Sequence, residues 1–187
     1  SEVDVAGGEP RAVAASAAAE ASPRYSPDGR WIAYTASDIP PRWAGDVRVQ
    51  VTPATGGAPR ALAATSDRQP FVLGWAADSR ALLVSELRGT SAALYRLPLE
   101  GAPAALYVPG EGTFSGGTLN QARSMVGFAA QSATTPPEAF LMRVESPTPV
   151  QVSRVNADIP KLPLGPTRVI RWKGPGGLDV EGLLTYP

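Results

Sequence analysis

The chain has 187 residues, 43% of them hydrophobic, and its 17 basic side chains balance 17 acidic ones. That composition belongs to a soluble globular domain and leaves no positive field to hold phosphates, so nucleic acid is not an expected ligand. The absence of cysteine removes disulfides, thiolate metal sites and cysteine nucleophiles together, and leaves the compartment open between cytoplasm and periplasm.

Twenty prolines and nineteen glycines scattered along the chain suit many short strands joined by turns and argue against long helices. No apolar run approaches the roughly 20 residues that a membrane helix needs, so no membrane partner is expected. Ser1 stands where a start methionine would, which reads as a chain beginning inside a longer product.

Taken in order, residues 3–5 followed by Gly7-Gly8 read as a third strand and the turn after it. Gly7-Gly8-Glu9-Pro10-Arg11-Ala12-Val13-Ala14-Ala15-Ser16 returns as Gly56-Gly57-Ala58-Pro59-Arg60-Ala61-Leu62-Ala63-Ala64-Thr65, identical at seven of ten positions and offset by 49. The alanines from Ala12 to Ala21 favour helix by propensity alone. The repeat assigns them instead to an outer strand and the loop after it.

The next stretch, Ser26-Pro27-Asp28-Gly29-Arg30 and then Trp31-Ile32-Ala33-Tyr34, is a tight turn running into a strand. Pro27 presets φ, Asp28 can accept from backbone N–H groups just ahead, and Gly29 supplies a positive φ. It recurs at an offset of 50, with Asp78 on Asp28 and Arg80 on Arg30. A fainter third copy places Met125-Val126-Gly127-Phe128 on Trp31–Tyr34, although Gln121-Ala122-Arg123 has lost the Pro-Asp-Gly chemistry.

Later strands follow at 47–51, 93–97 and 140–144, each alternating apolar with other residues, and then at 61–62, 105–106 and 151–152. Four strands every ~40–50 residues predict propeller blades. The expected fold is all-β: a partial β-propeller of about three four-stranded antiparallel blades over 17–65, 66–112 and 113–156, with the end of a preceding blade over 1–16. An unclosed set of blades leaves strand edges open to self-association.

After Asn156, three prolines between Pro160 and Pro166 predict an extended linker over 157–166. Residues 167–173, Gly174-Pro175-Gly176-Gly177 and 179–187 then read as a hairpin opening a second domain.

These features together resemble the propeller of the prolyl oligopeptidase family of serine peptidases, notably its bacterial acylaminoacyl-peptidase and dipeptidyl-peptidase-like members. The Ser-Pro-Asp-Gly turn is shared with Tol-type and other propellers. More specific are Pro137-Glu138, Val152-Ser153 with Asn156, Leu162 with Leu164, Trp172-Lys173, and Glu181-Gly182-Leu183-Leu184-Thr185-Tyr186-Pro187. The chain departs from the family pattern at Gly174 and Gly176, where serine and aspartate are common, which removes side-chain capping from that turn.

The resemblance spans essentially the whole chain. It implies that 167–187 begins an α/β-hydrolase domain, and that the partners are that domain and the peptide substrates of the parent enzyme. Blades of this family would gate access for short or acylated peptides.

A serine peptidase needs serine on a Gly-x-Ser-x-Gly elbow, a histidine and an acid. The chain has neither histidine nor that elbow, and neither Lys161 nor Lys173 follows a serine by three. No catalytic, cofactor-binding or metal-ligating residues are expected, no cofactor is implied, and the chain alone should be inactive. Asp28 and Asp78 read as turn residues, Asp179 and Glu181 as a solvated strand face, and Trp31, Trp75 and Trp172 as packing residues.

Arg42 and Trp43 differ, because they sit in a loop, 37–46, that the second copy replaces with Arg88-Gly89-Thr90-Ser91. They are the candidate contact for a partner domain or substrate, the alternative being that Trp43 covers its own blade. Two other readings stay open: a Tol-like propeller scaffolding protein contacts, and a propeller ahead of an amidohydrolase domain.

Overall fold

The computed structural model describes residues 1–110, 112–159 and 164–187. Its architecture is all-β. Strands β1 (Glu20–Tyr25), β2 (Trp31–Ser37), β3 (Val47–Pro53) and β4 (Arg60–Ala61) form one sheet in chain order. So do β5 (Phe71–Trp75), β6 (Ala81–Arg88), β7 (Ser91–Pro98) and β8 (Ala104–Tyr107), and again β9 (Thr113–Leu119), β10 (Met125–Gln131), β11 (Glu138–Arg143) and β12 (Val150–Gln151).

Successive four-stranded antiparallel sheets of this kind make a partial β-propeller. A separate antiparallel hairpin, β13 (Thr167–Lys173) with β14 (Asp179–Thr185), follows them. Residues 160–163 of the expected linker, with Leu162 of the family pattern, lie outside the described residues. Among the described residues no helix is long and apolar enough to cross a membrane.

Each sheet opens on the same six-residue turn. In the first, Ser26 N donates to Trp31 O (2.8 Å) and Gly29 N to Ser26 O (2.9 Å), with Gly29 at φ 71. In the second, Ala76 N donates to Ala81 O (2.8 Å) and Ser79 N to Ala76 O (3.1 Å), with Ser79 at φ 58. In the third, Asn120 N donates to Met125 O (3.1 Å) and Arg123 N to Asn120 O (2.9 Å), with Arg123 at φ 55.

The last turn therefore survives the loss of Pro-Asp-Gly. Its side-chain acceptor has moved to the first position, where Asn120 Oδ1 accepts from Ser124 N and Met125 N at 2.9 and 3.0 Å. Ser26 Oγ accepts from Trp31 N in the same way at 3.0 Å. A left-handed arginine at the fourth position is tolerated because the chain on both sides is fixed by these bonds.

The glycine pair also repeats in space at the offset of 49. Glu2 and Arg11 form an isolated antiparallel bridge, as Val51 and Arg60 do between β3 and β4. Gly7 N donates to Asp4 O and Gly56 N to Pro53 O, both at 2.9 Å. Residues 12–19 are irregular, neither helical as alanine's propensity alone favours nor part of a strand, so the expected outer strand is reduced to the bridge at Arg11.

A bulge recurs too. Ser22 and Pro23 together oppose Tyr34, and Gly116 and Gly117 oppose Phe128, with positive φ at Ser22 and Gly116. Each bulge adds twist to the first strand of its sheet, opposite a buried aromatic residue, Tyr34 or Phe128.

Residue contacts divide the chain into two units, residues 1–84 with 95–104, and residues 85–94 with 105–187. In the first unit Trp75 is 0% exposed, and its indole N–H donates to Arg24 O on β1 at 2.9 Å. Asp28 N donates to Ser79 Oγ (3.2 Å) and Arg60 Nη1 to Leu99 O (2.6 Å). In the second unit Tyr107, Phe114, Phe128 and Phe140 form an aromatic cluster with centroids 5.2 to 6.0 Å apart.

Burial departs from strict alternation in β7, where Ala92 to Tyr95 are all buried. Of the tryptophans read as packing residues, only Trp75 is fully enclosed. Trp31 is half-buried with the Arg60 guanidinium 5.8 Å from its ring centroid, and Trp172 is 48% exposed.

Trp75→Ala should cost about 3–5 kcal/mol, read as a lower urea midpoint at unchanged slope. Trp75→Phe should cost less, since it empties less volume while still stranding the Arg24 carbonyl.

Candidate functional site

The connection carrying the candidate contact residues begins where β2 ends and is closed on itself. Asp38 N donates to Asp46 O (3.0 Å), Asp46 N to Asp38 Oδ2 (3.1 Å) and Gly45 N to Arg42 O (3.1 Å). The Arg42 guanidinium lies 3.6 Å from Asp38, and Arg68 holds Asp46 at 2.7 Å. Gln69 Nε2 donates to Gly45 O, and Val47 N to Arg68 O at 2.8 Å.

The loop is thus pinned on both flanks while Trp43 stands 103% exposed, so the indole does not cover its own blade. The Arg42 side chain is 71% exposed beside it. Aromatic and arginine side chains held out by a tied loop lose little freedom on contact.

The carboxylates singled out in the sequence are each occupied. Asp28 Oδ1 accepts from Ser26 Oγ (2.5 Å) and Arg30 N (3.1 Å), which hold its pKa below the ordinary carboxyl range, Ser26 contributing most. Asp78 accepts from Arg80 N at 2.9 Å and Arg96 at 2.5 Å. Asp179 and Glu181 do share a strand face, but each meets a cation directly opposite on β13, Lys173 at 2.5 Å and Arg171 at 3.0 Å. Carboxylates engaged in this way are turn and sheet fasteners.

The carboxylate of the Pro137-Glu138 pair is also engaged. Glu138, 5% exposed at the start of β11, accepts from Ser153 Oγ, from Asn156 N at 2.9 Å and from Val155 N at 3.2 Å. Asn156 Nδ2 returns a bond to Pro137 O at 2.9 Å. The Pro-Glu and Ser-x-x-Asn elements are therefore two halves of one bracket, joining the start of β11 to the chain leaving β12. Nothing local in the sequence pairs residues this far apart. The bracket depresses the Glu138 pKa from its ordinary 4.5, Ser153 acting most and the Asn156 and Val155 amides after it, against the upward push of burial.

A cleft of about 370 Å³ opens beside β1, walled by Val13, Ala14, Ile32 and Tyr34 with Glu2 and Tyr25 at its polar side. Glu2 is engaged on one oxygen by Arg11 and on the other by the Tyr25 hydroxyl. Among the described residues no group of three or more acidic, histidine or cysteine side chains is placed to hold a metal ion.

No protein-family model matches the sequence, and no curated protein matches it. Solved structures similar in fold include AtxE2 isopeptidase with astexin3-dC4 bound, at TM-score 0.70 and 18% identity over 85% of this chain and 24% of that one. Dipeptidyl peptidase 4 of Porphyromonas gingivalis has a TM-score of 0.63 at 15% identity, over 88% of this chain and 23% of that one. TolB from Acinetobacter baumannii has a TM-score of 0.57 at 15% identity, over 87% and 40%. The chain spans about a quarter of the length of the two peptidases. What the likeness carries is the propeller fold, which peptidases and TolB share.

Because the Glu138 pKa is lowered on folding, its contribution to stability is present above the unfolded value and lost as pH falls through the folded one. Glu138→Gln should lower Tm by about 5 °C at neutral pH. The gap to wild type should shrink once the pH drops below the ordinary 4.5, as thermal melts at several pH values would record.

Proposed function

We propose that the chain is the non-catalytic propeller segment of a prolyl-oligopeptidase-like serine peptidase, together with the first hairpin of its hydrolase domain. The observation that carries this reading is the β13–β14 hairpin. It lies outside the four-stranded repeat, follows the Glu138 bracket, and bears Trp172-Lys173 and the Glu181–Pro187 run of the family pattern. A free-standing propeller has no structural need of it. The fold likeness to an isopeptidase and a dipeptidyl peptidase supports the same reading.

In this role the blades cap the cavity of the hydrolase domain and restrict entry to short or acylated peptides, while the triad is supplied by that domain. Trp43 and Arg42 then contact the hydrolase domain or the substrate as it enters. The likeness to TolB favours a second reading, a propeller that scaffolds protein contacts with no enzyme attached.

The coding sequence beyond Pro187 separates the two. A Gly-x-Ser-x-Gly followed by Asp and then His is expected, and a stop codon or a further run of blades would overturn the peptidase reading. Trp43→Ala should leave stability within about 0.5 kcal/mol, as exposed substitutions do, while shifting substrate preference or domain association in the complete protein. If kcat/KM across a peptide panel and domain association both stay at wild-type values, the loop has no contact role.

A further inference from the structure

The turn between β6 and β7 is only Gly89-Thr90, with Gly89 at φ 59, whereas the matching connection of the first sheet runs from 38 to 46. A turn this short leaves the Thr90 N–H to be satisfied from outside, and Glu181 of β14 satisfies it. Glu181 Oε1 accepts from Thr90 N at 2.6 Å and from Thr90 Oγ1 at 3.1 Å. Its other oxygen accepts from Arg171 Nε at 3.0 Å, across the ladder where Arg171 and Glu181 are directly paired.

A Cβ on Gly89 would overlap the Glu181 carboxylate, so glycine is needed there both for the turn's φ and for the carboxylate's approach. A two-stranded hairpin is marginal by itself in water. This one also leaves Trp172, Leu178 and Leu183 about half exposed or more, so little apolar burial anchors it.

We propose that Glu181 is a latch: its carboxylate fixes the β13–β14 hairpin to the Gly89-Thr90 turn, with Arg171 orienting it from the neighbouring strand. Glu181 is accordingly a positioning residue for the hairpin itself, and this holds whichever function the chain serves. The device divides one carboxylate between two tasks. One oxygen grips the turn by a charge-assisted bond and the other is held by the hairpin's own ladder, so the grip is transmitted to both strands.

Residue-resolved hydrogen exchange on the intact protein tests it, with the β10 amides as the reference for global folding. Glu181→Asp withdraws the carboxylate from Thr90 yet keeps a charge opposite Arg171, and Glu181→Ala removes both contacts. Each should raise exchange of the β13–β14 amides about ten-fold or more while β10 stays unchanged, and Arg171→Ala should have a smaller effect.

Hairpin exchange in Glu181→Asp that matches wild type would overturn the latch. So would an Arg171→Ala effect as large, since the cross-strand pair would then be doing the holding. Should Glu181→Ala loosen β10 as well, the aspartate variant decides: a hairpin-only effect supports the latch, and joint loosening of β10 and the hairpin refutes it.

Discussion

Each four-stranded sheet depends on one short loop of backbone, the six residues running from the end of its first strand to the first residue of its second, in which the first N–H closes on the sixth carbonyl and the fourth residue turns left-handed. A four-stranded blade must reverse direction within a few residues and still keep its first pair in register, because a slip of one residue would send every buried side chain to the opposite face. The turn fixes that register. It also sets a carbonyl for the third strand's exit, since Arg30 O, Arg80 O and Ser124 O each accept a backbone N–H at 2.9 Å from the residue just after or ending the third-strand segment, Ala54, Leu99 and Val144.

Seen this way, the turn residues are interchangeable provided three requirements are met: an acceptor for the amides that follow, a tolerated positive φ, and a closing pair. Ser26 with Asp28 and Gly29 meets them in one way. Asp78 with Ser79 meets them in a second, and Asn120 with Arg123 in a third. That explains why the repeat was plain in the first two copies and faint in the third. Sequence reading follows residue identity, and the third copy keeps the hydrogen bonds while changing the residues that make them.

Much of the architecture was legible for a related reason. Gly7-Gly8 and Gly56-Gly57 occupy positive φ, so few other residues can replace them, and the spacing of 49 between them carries straight into the bridge between Glu2 and Arg11. What the sequence could not display was pairing between distant positions. Glu138 meets Ser153 and Asn156 because two strands intervene and fold back. Glu181 meets Thr90 across ninety-one positions, and neither residue advertises the other. The burial of Trp75 against the exposure of Trp172 was equally hidden, since it is set by which sheet covers each ring and not by the ring itself.

The chemistry follows the same division. Its carboxylates hold turns, brackets and a hairpin, and the histidine that a serine peptidase triad requires is missing from the chain. Trp43, held out on a tied loop, is the most exposed of the four tryptophans. The propeller fold by itself serves peptidases and scaffolds alike. Function must be sought where the repeat stops, at the hairpin after the third sheet.

The claim that one turn geometry underlies all three sheets is tested most directly at the Met125 amide, by residue-resolved hydrogen exchange under native conditions. Met125 N–H, bonded to Asn120 Oδ1 at 3.0 Å, should be protected to the same degree as Trp31 N–H, bonded to Ser26 Oγ at 3.0 Å. Exchange of Met125 at the rate of an unstructured amide, with Trp31 protected, would contradict the account.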